Sequence, residues 1–271
     1  MTGFANPHLL IAPADLAATI ESAAPLLILD LRPPEAYTGG HVPGAHHLDL
    51  WGVSLVDTDP APLKAFMWMI EHVLQLHGVD ARTPVVVYDE QSGMRAARAF
   101  WFLEYFGHPS VRMLDGGFGA WTKAGLPVTR EAAAPPKSEW TGEAQASTIA
   151  TWREVTDAIE APGTVLLDTR SDGEHRGTVV RAKRGGTIPG SVHIEWKDNL
   201  TEDGSFKPAE QLRAMYEAAG VTPDKEVITY CQGGYRAAHS YLALRLLGYP
   251  RVRNYVGSWG EWGNRDGCAT R

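Results

Sequence analysis

Three segments of this chain occur twice, in the same order. Leu29-Asp30-Leu31-Arg32 returns as Leu167-Asp168-Thr169-Arg170 at an offset of 138, and Val85-Val86-Val87-Tyr88 returns as Val227-Ile228-Thr229-Tyr230 at 142. Gly116-Gly117-Phe118-Gly119-Ala120-Trp121 returns as Gly257-Ser258-Trp259-Gly260-Glu261-Trp262 at 141. A period this long means a duplicated domain rather than a solenoid unit, and 271 residues suffice for two cores. In the first copy, short apolar runs at 26–29, 85–88 and 111–114 read as strands. They alternate with helical stretches that open at Pro13, span 66–76, and run from near Arg95 to 106. This alternation predicts an α/β protein of two tandem domains, each a mostly parallel sheet flanked by helices on both faces. Residues 131–147, with Ala132-Ala133-Ala134-Pro135-Pro136, suit an extended linker. Thr151-Trp152-Arg153-Glu154 has capping-box spacing and starts a new helix. The expected domains are therefore 1–130 and 148–271.

The chemistry concentrates in Cys231-Gln232-Gly233-Gly234-Tyr235-Arg236, between a strand at 227–230 and a helix over 237–247 closed by Gly248 and Pro250. Two glycines let successive backbone N–H groups turn toward one point at the positive end of the helix dipole. An anion belongs there, and a cysteine so placed loses its proton more easily than a free thiol. Cys231 is the expected nucleophile, with Gln232, Gly233, Gly234, Tyr235 and Arg236 as its binding loop. Arg236 either orients this loop or binds an anionic substrate group, and Tyr235 either walls the pocket or packs. His239 reads as a solvated helix residue, since a thiolate held by N–H groups needs no base. In the first copy Asp89 stands in the cysteine's place, with five residues before Arg95 where Cys231 has four before Arg236. The first copy has no sulfur there, and although an aspartate could serve as a nucleophile in phosphoryl chemistry, it is expected to be repelled by a site of the kind that holds an anion, so the first domain is expected to be catalytically silent and to cover the cleft.

Composition narrows the partners. Lys plus Arg number 25 and Asp plus Glu 32, a net charge of -7, which offers no broad basic surface to nucleic acid or anionic lipid. No apolar stretch approaches the roughly 20 residues of a membrane span, and residues 1–8 lack a leader pattern, which points to the cytoplasm. Cys231 and Cys268, the two cysteines, make no disulfide framework, and no metal-ligand spacing occurs. Neither a metal nor an organic cofactor is expected. Cys268, near a mobile C-terminus, reads as a bystander, and Trp259 and Trp262 as packing residues.

Taken together, these motifs resemble the rhodanese family, specifically its tandem two-domain sulfurtransferases. The resemblance rests on Asp-x-Arg after the first main strand of each half, on Gly40-His41-Val42-Pro43-Gly44-Ala45 with its weaker copy Gly186-Thr187-Ile188-Pro189-Gly190-Ser191, on the Cys231 loop, and on the duplicated Gly116 segment. It implies an inactive first domain, an active second one, and a persulfide on Cys231. The implied donor is a small sulfur-bearing anion, thiosulfate before 3-mercaptopyruvate, and the implied acceptor is cyanide, a thiol or a protein. Arg170 resembles the family's Asp-x-Arg arginine, which usually ties structure together; a substrate role is its second reading. Related enzymes often carry an arginine at the position of Glu174, so Arg176, or the group Arg181, Lys183 and Arg184, is the candidate for supplying that charge. Thr187 replaces the usual histidine, and Gln232-Gly233-Gly234-Tyr235 matches neither the basic loop of thiosulfate-using relatives nor the Cys-Gly-Ser-Gly-Val type. Two rivals are a protein-to-protein sulfur carrier and a cysteine phosphatase, whose wider ring would place five residues between Cys and Arg.

Overall fold

The computed structural model describes residues 3–132, 134–135 and 137–271. In the first half five strands, β1 (Leu10–Ile11), β2 (Leu27–Asp30), β3 (Ala45–His47), β4 (Val85–Tyr88) and β5 (Val111–Leu114), form one sheet in the order β1-β5-β4-β2-β3. The second half repeats this with β6 (Ile149–Ala150), β7 (Thr164–Asp168), β8 (Val192–His193), β9 (Glu226–Tyr230) and β10 (Val252–Tyr255), in the order β6-β10-β9-β7-β8. Every pairing in both sheets is parallel. All four residues of β4 are buried, as are the last four of β9, because helices cover both faces of each sheet.

The helices of the first half are α1 (Pro13–Glu21), α2 (Pro34–Gly39), α3 (Pro60–Leu76), α4 (Met94–Tyr105) and α5 (Gly117–Lys123). Those of the second are α6 (Trp152–Ala158), α7 (Asp172–His175), α8 (Ala209–Ala218), α9 (Tyr235–Leu246) and α10 (Ser258–Trp262). The capping box at α6 is present, with the Thr151 amide donating to Glu154 Oε2 at 2.8 Å. Two helices start earlier than expected. Pro60 takes the first turn of α3, where its missing N–H costs nothing, and α9 begins at Tyr235, which places Tyr235 and Arg236 in its first turn. Among the described residues no helix is long and apolar enough to cross a membrane.

Within the expected linker, Ala133 and Pro136 lie outside the described residues. Its later part is extended and docked on the first half: the Ser138 amide donates to Gln75 O at 3.1 Å, Gln75 Nε2 to Trp140 O at 2.6 Å, and Trp140 is buried against Phe106 and His108. The two halves share one apolar core that runs from Leu9 to Val256, with α4 packed along α9 at its centre.

The repeated Asp-x-Arg pairs hold the ends of β2 and β7. Arg170 Nη2 lies 2.6 Å from Asp168 Oδ2 and 2.8 Å from Gly186 O, and Arg32 makes the same bonds at the same distances to Asp30 and Gly40 O. Tyr230 and Tyr88, the last residues of β9 and β4, donate to the same carboxylates at 3.0 and 2.5 Å. Each aspartate therefore ties a strand end, a neighbouring strand and the glycine turn into one knot. Replacing Asp168 with Ala would leave the buried Arg170 guanidinium uncompensated, so denaturant unfolding is expected to show a loss of about 3–5 kcal/mol. A loss below about 1 kcal/mol would contradict this reading of the knot.

Candidate active site

Cys231 follows the last residue of β9, and its side chain is 1% exposed. Gly234 closes the loop with φ 84, a left-handed conformation natural to glycine, and its amide donates to Cys231 Sγ at 3.1 Å. Burial pushes the Cys231 thiol up, but the Arg236 charge and the N–H groups of Ala237, Gly233 and Gly234 outweigh it and hold it below the ordinary thiol value. The loop is clamped from α10: the Trp259 amide donates to Cys231 O and that of Gly260 to Gln232 O, both at 2.8 Å.

Ser258 completes the sulfur's surroundings. Its hydroxyl accepts from the Cys231 amide at 3.1 Å, donates to Tyr255 O at 2.8 Å, and lies 4.0 Å from Sγ. Ser258 has φ 51, and its counterpart in the repeat, Gly117, has φ 59. A glycine there would relieve the strain, so the serine holds an unfavourable backbone conformation while bonded to the Cys231 amide. The repeat carries this signal in the sequence, a serine standing where the first copy has Gly117.

Arg236 is engaged within the protein. Its Nη1 and Nη2 reach Glu174 Oε2 and Oε1 at 2.6 and 2.9 Å, a bidentate pair that fixes the guanidinium beside the loop. Glu174 also accepts from the Ser171 amide and hydroxyl at 3.1 and 2.8 Å. The residue standing in place of the family's arginine thus anchors the loop arginine. Tyr235 donates to Leu50 O and Val53 O in the first half, at 2.5 and 3.0 Å. Gly233 comes so close to that half that a Cβ there would sit 2.8 Å from Ser54 Oγ. Gln232 Nε2 donates to Arg181 O at 3.2 Å.

Of the other candidates, Arg170 is 1% exposed, belongs to the Asp168 knot and lies outside the residues lining the Cys231 cavity. Arg176 is exposed, bonded to Asp172 at 2.8 Å, and also outside the lining. Arg184 is tied to the carbonyls of Trp262 and Arg265, each at 2.6 Å, whereas Arg181 does line the cavity. Trp259 and Trp262 are buried.

Two expectations need correction. His239 is not solvated: it is fully buried in the seam with the first half, its Nε2 donates to Ser92 O at 2.8 Å, and burial pushes it down to about 4. Cys268 is not on a mobile end. It is buried in the second half's core, and the terminal segment is pinned by reciprocal bonds between Thr187 and Arg271 at 3.0 and 2.9 Å. Burial pushes the Cys268 thiol up, the reverse of Cys231.

Above Cys231 lies a cavity of about 600 Å³ walled by both halves, with Trp51, Leu55 and Val56 from the first facing Arg181, Lys197 and Arg236 from the second. The corresponding loop of the first half is filled by its own carboxylate. Asp89 is buried, and its oxygens accept from the Glu90 and Arg95 amides at 2.8 and 3.1 Å.

The sequence matches the rhodanese-like domain family twice, over residues 12–124 and 151–265. The chain belongs to the rhodanese family. Its relatives include the thiosulfate sulfurtransferase of Azotobacter vinelandii, 36% identical over 265 residues that cover 97% of both chains. The sulfur carrier protein TtuD of Thermus thermophilus is 34% identical over 279 residues, covering 97% of this chain and 96% of its own. Among solved structures, the anaerobic ergothioneine biosynthesis enzyme of Chlorobium limicola superposes with a TM-score of 0.88 at 22% identity, over 100% of this chain and 72% of that one, a likeness of fold.

In this rhodanese the Glu174–Arg236 pair has a readable pH signature. Glu174 is held at about 2 against an ordinary 4.5, chiefly by Arg236 working against its burial. A depressed carboxyl contributes stability that is fully present above its unfolded value and is lost as pH falls through the folded one. Wild type and Glu174→Gln should therefore differ by a constant amount above pH 4.5, and the difference should shrink by on the order of 2 kcal/mol between 4.5 and 2. A difference that stays flat across that window in acid-unfolding curves would remove the pair's role.

Proposed function

We propose that the chain is a sulfurtransferase that takes the outer sulfur of thiosulfate onto Cys231 and passes it to a thiophilic acceptor, cyanide or a thiol. The observation that carries this is the Cys231 sulfur at the floor of the two-domain cavity, faced by the N–H groups of Gly233, Gly234 and Ala237. That arrangement stabilises an anionic sulfur before and after the transfer. The thiolate attacks the outer sulfur of the donor, the S–S bond of thiosulfate breaks, and sulfite leaves with the electron pair. The acceptor then attacks the terminal sulfur of the Cys231 persulfide; thiocyanate forms when it is cyanide, and the thiolate is restored. With Cys231 as thiolate and the acceptor arriving as cyanide anion or thiolate, neither step moves a proton, which accords with a neutral His239 turned away toward Ser92. Thiosulfate is favoured as donor because several relatives bear that activity in their names, and the cavity suits an anion because Arg181, Lys197 and Arg236 outnumber Glu174 and Glu195 in its lining.

The first domain, 1–130, acts as a silent cover, joined by 131–147 to the catalytic domain, 148–271. Asp89 occupies its own loop, and the 51–56 segment roofs the cavity. A free nucleophilic thiol suits a reducing compartment, and we assign the protein to the cytoplasm. A second reading, transfer to or from a protein, is favoured by Trp51 and Val56, 52% and 65% exposed at the cavity wall, and by the likeness to the sulfur carrier of Thermus thermophilus.

Thiocyanate production from cyanide, with thiosulfate and 3-mercaptopyruvate as parallel donors, tests the proposal. We expect turnover with thiosulfate, parallel double-reciprocal lines from the two-step exchange, and a loss of at least about 1,000-fold in Cys231→Ser. Turnover with 3-mercaptopyruvate alone would reassign the donor. Turnover with neither, together with persulfide formation from a partner desulfurase, would favour the carrier reading.

A further inference from the structure

The packed helices α4 and α9 each send their fifth residue across the seam between the halves. From α9 it is His239, which bonds the first half's loop at Ser92 O. From α4 it is Arg98, which lies against the second half's loop, where a Cβ on Gly234 would meet Arg98 Nη1 at 2.0 Å. The crossing is therefore asymmetric. A neutral ring faces the silent loop, and a guanidinium faces the loop whose glycine amide holds Cys231.

Arg98 is wholly buried, and none of its three side-chain nitrogens has a hydrogen-bond partner among the described residues. The faces of Phe102, Tyr235 and Trp101 surround it at 4.6, 5.0 and 5.4 Å, which recovers part of the cost of desolvating the charge. A guanidinium buried without a carboxylate partner is otherwise expensive. An anion within reach offsets that cost. Two acidic groups reach it electrostatically, Tyr235 and Cys231. Tyr235 is held as a donor to Leu50 O and Val53 O, and burial pushes its hydroxyl up, so it is neutral at working pH. That leaves the sulfur.

We propose that Arg98 is a positioning residue for sulfur transfer: its charge, supplied from the silent domain behind Gly234, keeps Cys231 and its persulfide anionic and holds the loop's N–H groups on the sulfur. The charged and titratable groups around this sulfur are Arg236 with Glu174 behind it, Arg98 with Tyr235 behind Gly234, and Arg181, Lys197 and Glu195 on the cavity wall. Burial pushes Arg98 down to about 10, still protonated throughout the working range. The second domain thus has a reason to keep its silent partner beyond covering the cleft.

The inference rests on Cys231 acting as a thiolate, and its test is independent of sulfur transfer. The rate of iodoacetamide alkylation at the Cys231 peptide is followed against pH in wild type, Arg98→Met, Arg98→Lys and Tyr241→Phe. Tyr241→Phe removes a hydrogen bond to Glu104 at the same seam. We expect the alkylation midpoint to rise by about one pH unit in Arg98→Met, a rate loss of about tenfold at neutral pH, with partial recovery in Arg98→Lys and no shift in Tyr241→Phe. A folded Arg98→Met with the wild-type midpoint would overturn the proposal. If Arg98→Met does not fold, the same change in a Cys231→Ser background decides. The proposal expects a folded protein there, because the charge has no anion to serve, whereas failure to fold there too would assign Arg98 to packing and overturn it.

Discussion

A sulfur anion buried almost completely is stable only where donors converge on it, and that requirement shapes the rest of this fold. Desolvation works against the Cys231 thiolate, while the Gly233, Gly234 and Ala237 amides and the Arg236 charge work for it, and the second group prevails. Bringing those amides to one point needs a strand that ends at Tyr230, a left-handed glycine at 234, and a helix that starts at Tyr235. Each of these is held in turn by something further out. The Asp168 knot fixes the strand end, α10 clamps the loop carbonyls, and Glu174 fixes the guanidinium.

The duplication has been turned to different use in its two copies. The first loop has the same setting, between β4 and α4, but two of its amides, those of Glu90 and Arg95, bond the buried Asp89 carboxyl. The second loop leaves its amides for a sulfur. The first half is nevertheless bound into the second: Tyr235 is hydrogen-bonded by its backbone, Gly233 lies against Ser54, and its 51–56 segment lines the cavity. With one apolar core running through both halves, the geometry around Cys231 is a property of the whole chain.

What could be read from the sequence was whatever local chemistry writes into consecutive residues. The β-branched runs of β4 and β9, the glycines beside Cys231, the Asp-x-Arg pairs and the Thr151 capping box each declare a backbone conformation or a short-range bond. Glu174 and Arg236 lie 62 residues apart and meet only after folding, so their pairing left no local trace. His239 was misread for a definite reason: α9 is sandwiched between the two halves and buried nearly all round, which erases the polar stripe by which a solvated face is recognised. Arg98 was hidden similarly, as a cation in the helix of a domain set aside as silent, with nothing in its neighbours to show that it crosses the seam.

In the proposed function Cys231 carries the transferred sulfur as a covalent, protected anion. Mass analysis of the protein after incubation with thiosulfate tests this most directly. The expected result is the gain of one sulfur atom on the Cys231 peptide, none on the Cys268 peptide, and its complete removal by cyanide. A Cys231 peptide that stays unmodified while thiocyanate accumulates would contradict it.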